Sequence, residues 1–525
     1  MTCSKIFSGN LPELTESIIK YFRNDFSTLN SCALVNKFWC RLAIPLLWEN
    51  PFSIIENSIS TRNYNFIGIY LHNLNGELKT KFNEYKINDN LLSSNTLFNY
   101  PSFIKYLNTW EFISSAKRWS EDVFRTLESK YKSSLEDLGS ESDFGILIQT
   151  SLLKLFIENE INIHTLEIET KSYFDIYFED FLELILQNTN FIHNIKNLKL
   201  SVLSINCNTP INDRILQIVN SHQNLKKVIL CNNKDFLFYQ PLSLSKDYNC
   251  SNTLNSIALY RIDFKDIINL NEMFEQLNVL ESIHIIHCIS LNTSFIQQIL
   301  NLTKPFKLKS LFIDESSKID ESLLFLLEKS GGYLENFRYV YFRSELEHQK
   351  ILESVIKYCK NIKLLGIFNV KDEIVYPILN LIENIKQNLN CLSISCERSS
   401  LDNSSSILLQ NLGQILPSKL EYLNLFFYIN ASDFVIFLKN SQGTFIKKLL
   451  IKDLTSWKLI NDILPYIKEY IMKEKRVRCL ILRNFKDTEL FDFNDEVKEF
   501  KLHNIRVQRY SDSVIDNYKF MQKLD

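Results

Sequence analysis

The sequence predicts an α/β fold of repeated units, with parallel strands lining the inside of an array and helices covering its outside. A strand-sized phrase recurs: apolar, two residues, apolar, one residue, apolar. It is clearest at Leu225-Lys-Lys-Val228-Ile-Leu230, Leu280-Glu-Ser-Ile283-His-Ile285 and Leu420-Glu-Tyr-Leu423-Asn-Leu425. Most copies start roughly 26 to 32 residues apart, a period typical of stacked repeats. Between copies lie segments with helical spacing, such as 213–219, 321–327, 351–356 and 433–438.

Further copies of the phrase begin at Ile163, Ile195, Leu254, Leu308, Leu334, Ile362, Leu389, Ile446 and Val477, with a degenerate one at Val497-Phe500-Leu502. The phrase resembles the strand of a leucine-rich repeat over about residues 160 to 505. That resemblance implies a horseshoe. The ninth-position Asn or Cys of such repeats occurs here only at Asn233 and Cys288. Side chains alternate along a strand, so phrase positions four and six enter the core, joined by position one, while positions three, five and seven face the concave side.

Position five reads Glu167, Lys199, Ile229, Ala258, His284, Phe312, Arg338, Gly366, Ser393, Asn424, Leu450, Ile481 and Lys501. Position seven gives Tyr260, Ile286, Asp314, Val340, Phe368 and Phe426, then Lys452 and Arg483. Aromatic and aliphatic residues with a few charges compose a protein-binding patch, in which aromatics and Arg carry most of the energy. The expected target-binding residues are Tyr260, His284, Ile286, Phe312, Arg338, Phe368, Asn424 and Phe426.

The first 51 residues differ in character. Leu11-Pro12 suits a helix start, and Leu14, Ile18, Ile19 and Phe22 share a helical face. Ser27 or Thr28 is expected to cap a second helix carrying Leu29, Cys32, Ala33, Val35, Asn36 and Trp39. A third segment holds Leu42, Ala43, Leu46, Leu47 and Trp48, interrupted at Pro45. This stretch resembles an F-box, carried by Leu11-Pro12, Ile18-Ile19, Phe22, Leu29, Cys32-Ala-Leu-Val-Asn-Lys37, Trp39, Leu42, Pro45 and Leu47-Trp-Glu-Asn-Pro51. The resemblance implies docking on a Skp-type adaptor and, through it, on a cullin–RING ligase. By it, Leu11, Pro12, Ile18, Leu29, Val35 and Trp39 are the adaptor-facing residues.

The expected organisation is an F-box-like helical module at 8–51, a helical connection and N-terminal cap at 52–160 with degenerate repeats, and a leucine-rich repeat array with C-terminal cap at 161–525. Ser133–Asp143 and Asp89–Asn95 are read as loops, and 512–525 as the C-terminal cap. Asn212 and Ser432 are expected helix caps.

Several function classes are disfavoured. The formal net charge is −2, so no bulk attraction to nucleic acid or anionic membrane is expected. No apolar run reaches the roughly 18 residues a membrane span needs. The 10 glycines form no phosphate-binding loop. The 11 cysteines include no C-x-x-C pair, which reads as reduced thiols in a cytoplasmic or nuclear protein. His284, His287 and Cys288 cannot converge from one strand on a metal, and no cofactor is expected. Lys473–Arg478 reads as a solvated helix end leading into a strand.

The resemblances to an F-box and to leucine-rich repeats imply a non-catalytic substrate receptor of an SCF-type ubiquitin ligase, holding an unidentified protein target on its repeats. The alternative is a leucine-rich repeat scaffold or inhibitor whose first helices are only a cap.

Overall fold

The computed structural model describes residues 11–524 except 24, 53–63, 73, 75, 86–95, 131–139, 171–175, 203–208, 223, 232–249, 266, 315–316, 318–319, 341–344, 397–402 and 455–458. Residues 8–10, the loop candidates at 89–95 and 133–139, and Asn233 lie outside the described residues. The chain divides into two compact units, Met1–Leu254 and Asn255–Asp525.

The first unit opens with helices α1 (Pro12–Tyr21), α2 (Phe26–Ala33) and α3 (Lys37–Leu47). Asp25, rather than Ser27 or Thr28, caps α2 by accepting from the Thr28 amide at 3.0 Å. Asn36 caps α3 by accepting from the amides of Phe38 and Trp39. Pro45 lies inside α3 and does not end it. Lacking an amide proton, it leaves the Arg41 carbonyl without the usual bond from four residues on. Next come α4 (Asn65–Leu71), α5 (Gly76–Glu84), strand β1 (Tyr106–Asn108), α6 (Thr109–Lys130) and α7 (Glu141–Glu158). Ser140 and Asp143 form a capping box that starts α7, so the last residues of the expected 133–143 loop initiate a helix. β2 (Thr165–Thr170), α8 (Ile176–Gln187), β3 (Asn197–Val202), α9 (Thr209–Ser221) and β4 (Lys227–Cys231) complete the unit. Asn212 falls within α9 and is not its cap. β1 to β4 run parallel in chain order.

The second unit alternates strand and helix: β5 (Ser256–Tyr260), α10 (Leu270–Gln276), β6 (Ser282–Ile286), α11 (Thr293–Leu300), β7 (Leu308–Ile313), α12 (Leu323–Ser330), β8 (Asn336–Val340), α13 (Glu345–Tyr358), β9 (Leu364–Val370) and α14 (Val375–Ile385). It continues with β10 (Cys391–Cys396), α15 (Ser404–Ile415), β11 (Lys419–Phe427), α16 (Ala431–Asn440), β12 (Phe445–Asp453), α17 (Leu459–Ile467) and β13 (Val477–Arg483). Asn430, not Ser432, caps α16. Every strand pairs in parallel with the next, which gives this unit a solenoid-like α/β arrangement.

Each phrase from Ile163 to Val477 contributes its fourth and sixth residues to a strand, and those side chains are buried: Leu311 and Ile313, Leu365 and Ile367, Leu423 and Leu425 among them. The degenerate copy at Val497 differs. It lies in helix α18 (Asn494–Leu502), so Lys501 has no place on a strand. Apolar residues three apart suit a helical turn as well as a strand entry, and neither Lys501 nor Leu502 after Phe500 is β-branched. The next strand is instead the short β14 (Arg506–Val507), paired with β13. Helix α19 (Asn517–Gln522) ends the described chain. Among the described residues, no helix is long and apolar enough to cross a membrane.

Candidate functional site

In the second unit, phrase positions three, five and seven place their side chains on the sheet face away from the helices. That face holds all the expected target-binding residues, and it is covered. Residues 508–524 follow β14 and run back across it, so they do not simply cap the last repeat. Ser513 and Met521 are buried.

The crossing begins at Gln508, whose Oε1 accepts from Cys479 Sγ at 3.0 Å and from Ser513 Oγ. Tyr510 donates its hydroxyl to Asn424 Oδ1 at 3.4 Å, and Asn424 Nδ2 donates to Ser393 Oγ at 3.0 Å. Lys452 and Arg483 lie over the Tyr510 ring, and Lys452 also covers Phe426 at 4.5 Å. Ile515 joins a cluster with Tyr422, Leu450 and Ile481. Burial drives the Tyr422 hydroxyl well above the ordinary phenol range. A cavity of about 10 Å³ remains between Ile515, Arg338, Tyr422 and Asn424, no more than one water.

Helix α19 brings the closest contacts. Tyr518 meets Tyr260 edge-on with centroids 5.6 Å apart, and Phe520 stacks on Phe312 at 5.4 Å. The Asn517 carboxamide lies between Arg338 and His287. A guanidinium only donates, so Asn517 Oδ1 accepts from Arg338 Nη1. Asn517 Nδ2 then donates to His287 Nε2 at 2.6 Å. That ring nitrogen must be bare, which puts the imidazole proton on Nδ1, 2.7 Å from the Asp314 carboxylate. His287 leaves β6 with φ 53°, a left-handed conformation unusual outside glycine.

Arg338 is the unusual group here. Burial lowers its pKa to about 10. Phe368 and Phe312 bracket it, with ring centroids 4.8 and 5.4 Å from its Cζ. Among the described residues, no carboxylate pairs with it. Gly366 makes room: a Cβ there would come within 3.0 Å of Arg338 Cγ and of the Phe368 ring. Ile286 and Phe312 are fully buried. His284 is buried as well and bonds Ser310 Oγ at 2.7 Å. His287 faces Asn517, while buried Cys288 donates to the Leu259 carbonyl, so the His-x-x-His-Cys run divides among separate structural roles.

The adaptor-facing set divides too. Leu29 is 0% exposed and Trp39 8%. Both join Ile19, Cys32, Ala43, Leu46 and Leu47 in the core that holds α1 to α3 together. Leu11 and Ile18 are half-buried and Pro12 exposed. Leu34 at 88%, Tyr21 at 87%, Val35 at 47% and Leu14 at 47% are large apolar side chains left in solvent. Leu14, Ile18 and Tyr21 stand at i, i+4 and i+7, one stripe of α1. Sequence spacing put Leu14 and Ile18 on one face but gave no sign that Leu34 and Tyr21 stay outside.

The module is tied to the rest of its unit. Arg23 grips the Glu49 carboxylate with both Nε and Nη2 at 2.7 Å. The Glu49 carbonyl accepts from the amides of Lys105 and Tyr106 at the start of β1. Trp48 packs against Tyr70 and Tyr100. No protein-family model matches the chain, and no curated protein matches it.

Proposed function

We propose that this protein is the substrate receptor of an SCF-type ubiquitin ligase, with α1 to α3 as an F-box that docks on a Skp-type adaptor and the repeats as the target-binding part. It does no chemistry itself. Its contribution is positional, since tethering raises the effective concentration of a target lysine beside the ubiquitin-loaded enzyme.

One observation carries the reading. The module that resembles an F-box in sequence leaves Leu14, Tyr21, Leu34 and Val35 exposed after its own core is closed. Leu14 and Tyr21 share one stripe of α1 and Leu34 adjoins Val35 in the chain, and exposed apolar patches mark interaction surfaces. The adaptor-facing residues of this reading are therefore Leu11, Pro12, Ile18 and Val35 with Leu14, Tyr21 and Leu34, while Leu29 and Trp39 support them from within.

A second reading, a repeat scaffold or inhibitor outside any ligase, is favoured by the occupied state of the inner sheet face. The two separate by titrating the full chain with purified Skp-type adaptor in a calorimeter. Saturable binding that Leu34→Glu and Val35→Glu abolish supports the receptor. A folded chain that releases no heat supports the scaffold.

A further inference from the structure

The most informative feature outside the adaptor question is a cation whose charge is not answered. Arg338 donates to a neutral carboxamide and has no carboxylate partner among the described residues. Even a half-buried guanidinium such as this one is usually held by an acid, because its charge is costly to desolvate unpaired. Here two aromatic faces and the Gly366 gap hold the fork in place, leaving its polar edge aimed at position 517.

Asn517 is the neutral isostere of an aspartate. The segment that carries it reads Asn517-Tyr518-Lys519-Phe520, and its anchors are Tyr518 on Tyr260 and Phe520 on Phe312. α19 is six residues long, too short to hold as a helix without the sheet beneath it, so it can be exchanged for another segment without unfolding the repeats.

We propose that Arg338 is an anion-recognition site. It takes the carboxylate of an acidic side chain in a short helical segment of a partner protein, in the place held by Asn517. The partner segment follows the internal template with the missing charge restored: an acidic residue, an aromatic, any residue, an aromatic. Its carboxylate accepts the guanidinium fork in the two-pronged geometry that pair favours. His287 borders the same position from the other side, and the Tyr260 and Phe312 rings close the sides. This inference is independent of adaptor binding and stands or falls separately from it.

The test restores the charge in place. In the full chain, Asn517→Asp slows amide hydrogen exchange over 513–522 by tenfold or more, and the same substitution in an Arg338→Gln background does not. Amides of β9 and β10 report whether each variant keeps its fold. Equal or faster exchange in Asn517→Asp, or the same slowing in both backgrounds, overturns the proposal. A second measurement uses immobilised synthetic peptides spanning 508–524 with either Asp or Asn at position 517. The full chain binds the Asp peptide at least tenfold more tightly, and Arg338→Gln loses that preference. Equal capture of both peptides, or no capture of the Asp peptide, overturns it.

Discussion

Gly366 lies directly beside Arg338, with a Cβ position only 3.0 Å from Arg338 Cγ. The missing side chain on β9 is what lets the guanidinium lie across the sheet between Phe312 and Phe368. Gly366→Val fills that space and forces Arg338 off its seat. The expected cost is about 1–3 kcal/mol, the range for overpacking a closed site, read by urea denaturation. Hydrogen exchange over 513–522 should rise with it. Unchanged exchange there would mean that Asn517 does not depend on Arg338.

The stack of Phe520 on Phe312 anchors the crossing segment. Phe520 is only half-buried, so Phe520→Ala should cost less than truncating a core ring, about 2 kcal/mol. The loss is local: exchange accelerates in 508–524 while the strand amides keep their protection. A uniform loss across β5 to β13 would instead make the segment part of the cooperative core.

Trp39 and Leu34 separate packing from docking on the N-terminal module. Trp39→Ala removes a buried ring from the α1–α3 core and should cost about 3–5 kcal/mol, seen as a lower melting temperature. Leu34→Glu changes an exposed site and should stay within about 0.5 kcal/mol of the parent, yet abolish adaptor binding. Removing residues 1–51 altogether is a poorer test. It takes away Trp48 from Tyr70 and Tyr100, and the Glu49 carbonyl from the entry to β1.

His222 gives the first unit a pH dependence. Burial lowers its pKa to about 4, with His193 adding a smaller effect, and its Nε2 has no hydrogen-bond partner among the described residues. The unfolded chain takes up a proton near pH 6.5, while the folded chain resists until about pH 4. The contribution is intact above the unfolded value and is lost as pH falls towards the folded one. The loss approaches about 3 kcal/mol. His222→Gln should flatten stability between pH 6.5 and 4; the same slope in both proteins would assign it elsewhere.

Much of the repeat array was legible from residue order. The strand at Leu423 and Leu425 and that at Leu365 and Ile367 follow from period-two alternation, because one buried face enforces it. Val497 to Leu502 misled for a local reason: spacing of three fits a helix turn too, and Phe500 alone of that run is buried. β1 had no readable signal. Tyr106–Asn108 is too short for a pattern, and its entry is fixed by Glu49, far back in the chain.

The sequence by itself determined the strands, the helices between them and which side chains share the inner sheet face, since these depend on neighbours a few residues apart. Only the tertiary structure decided whether that face is open. Asn517 meets His287 across 230 positions and Arg338 across 179, and contacts at such separation leave no periodic trace. The same holds for Trp39 and Leu34: both are apolar on short helices, and which one turns inward is set by how α1, α2 and α3 close around a shared core.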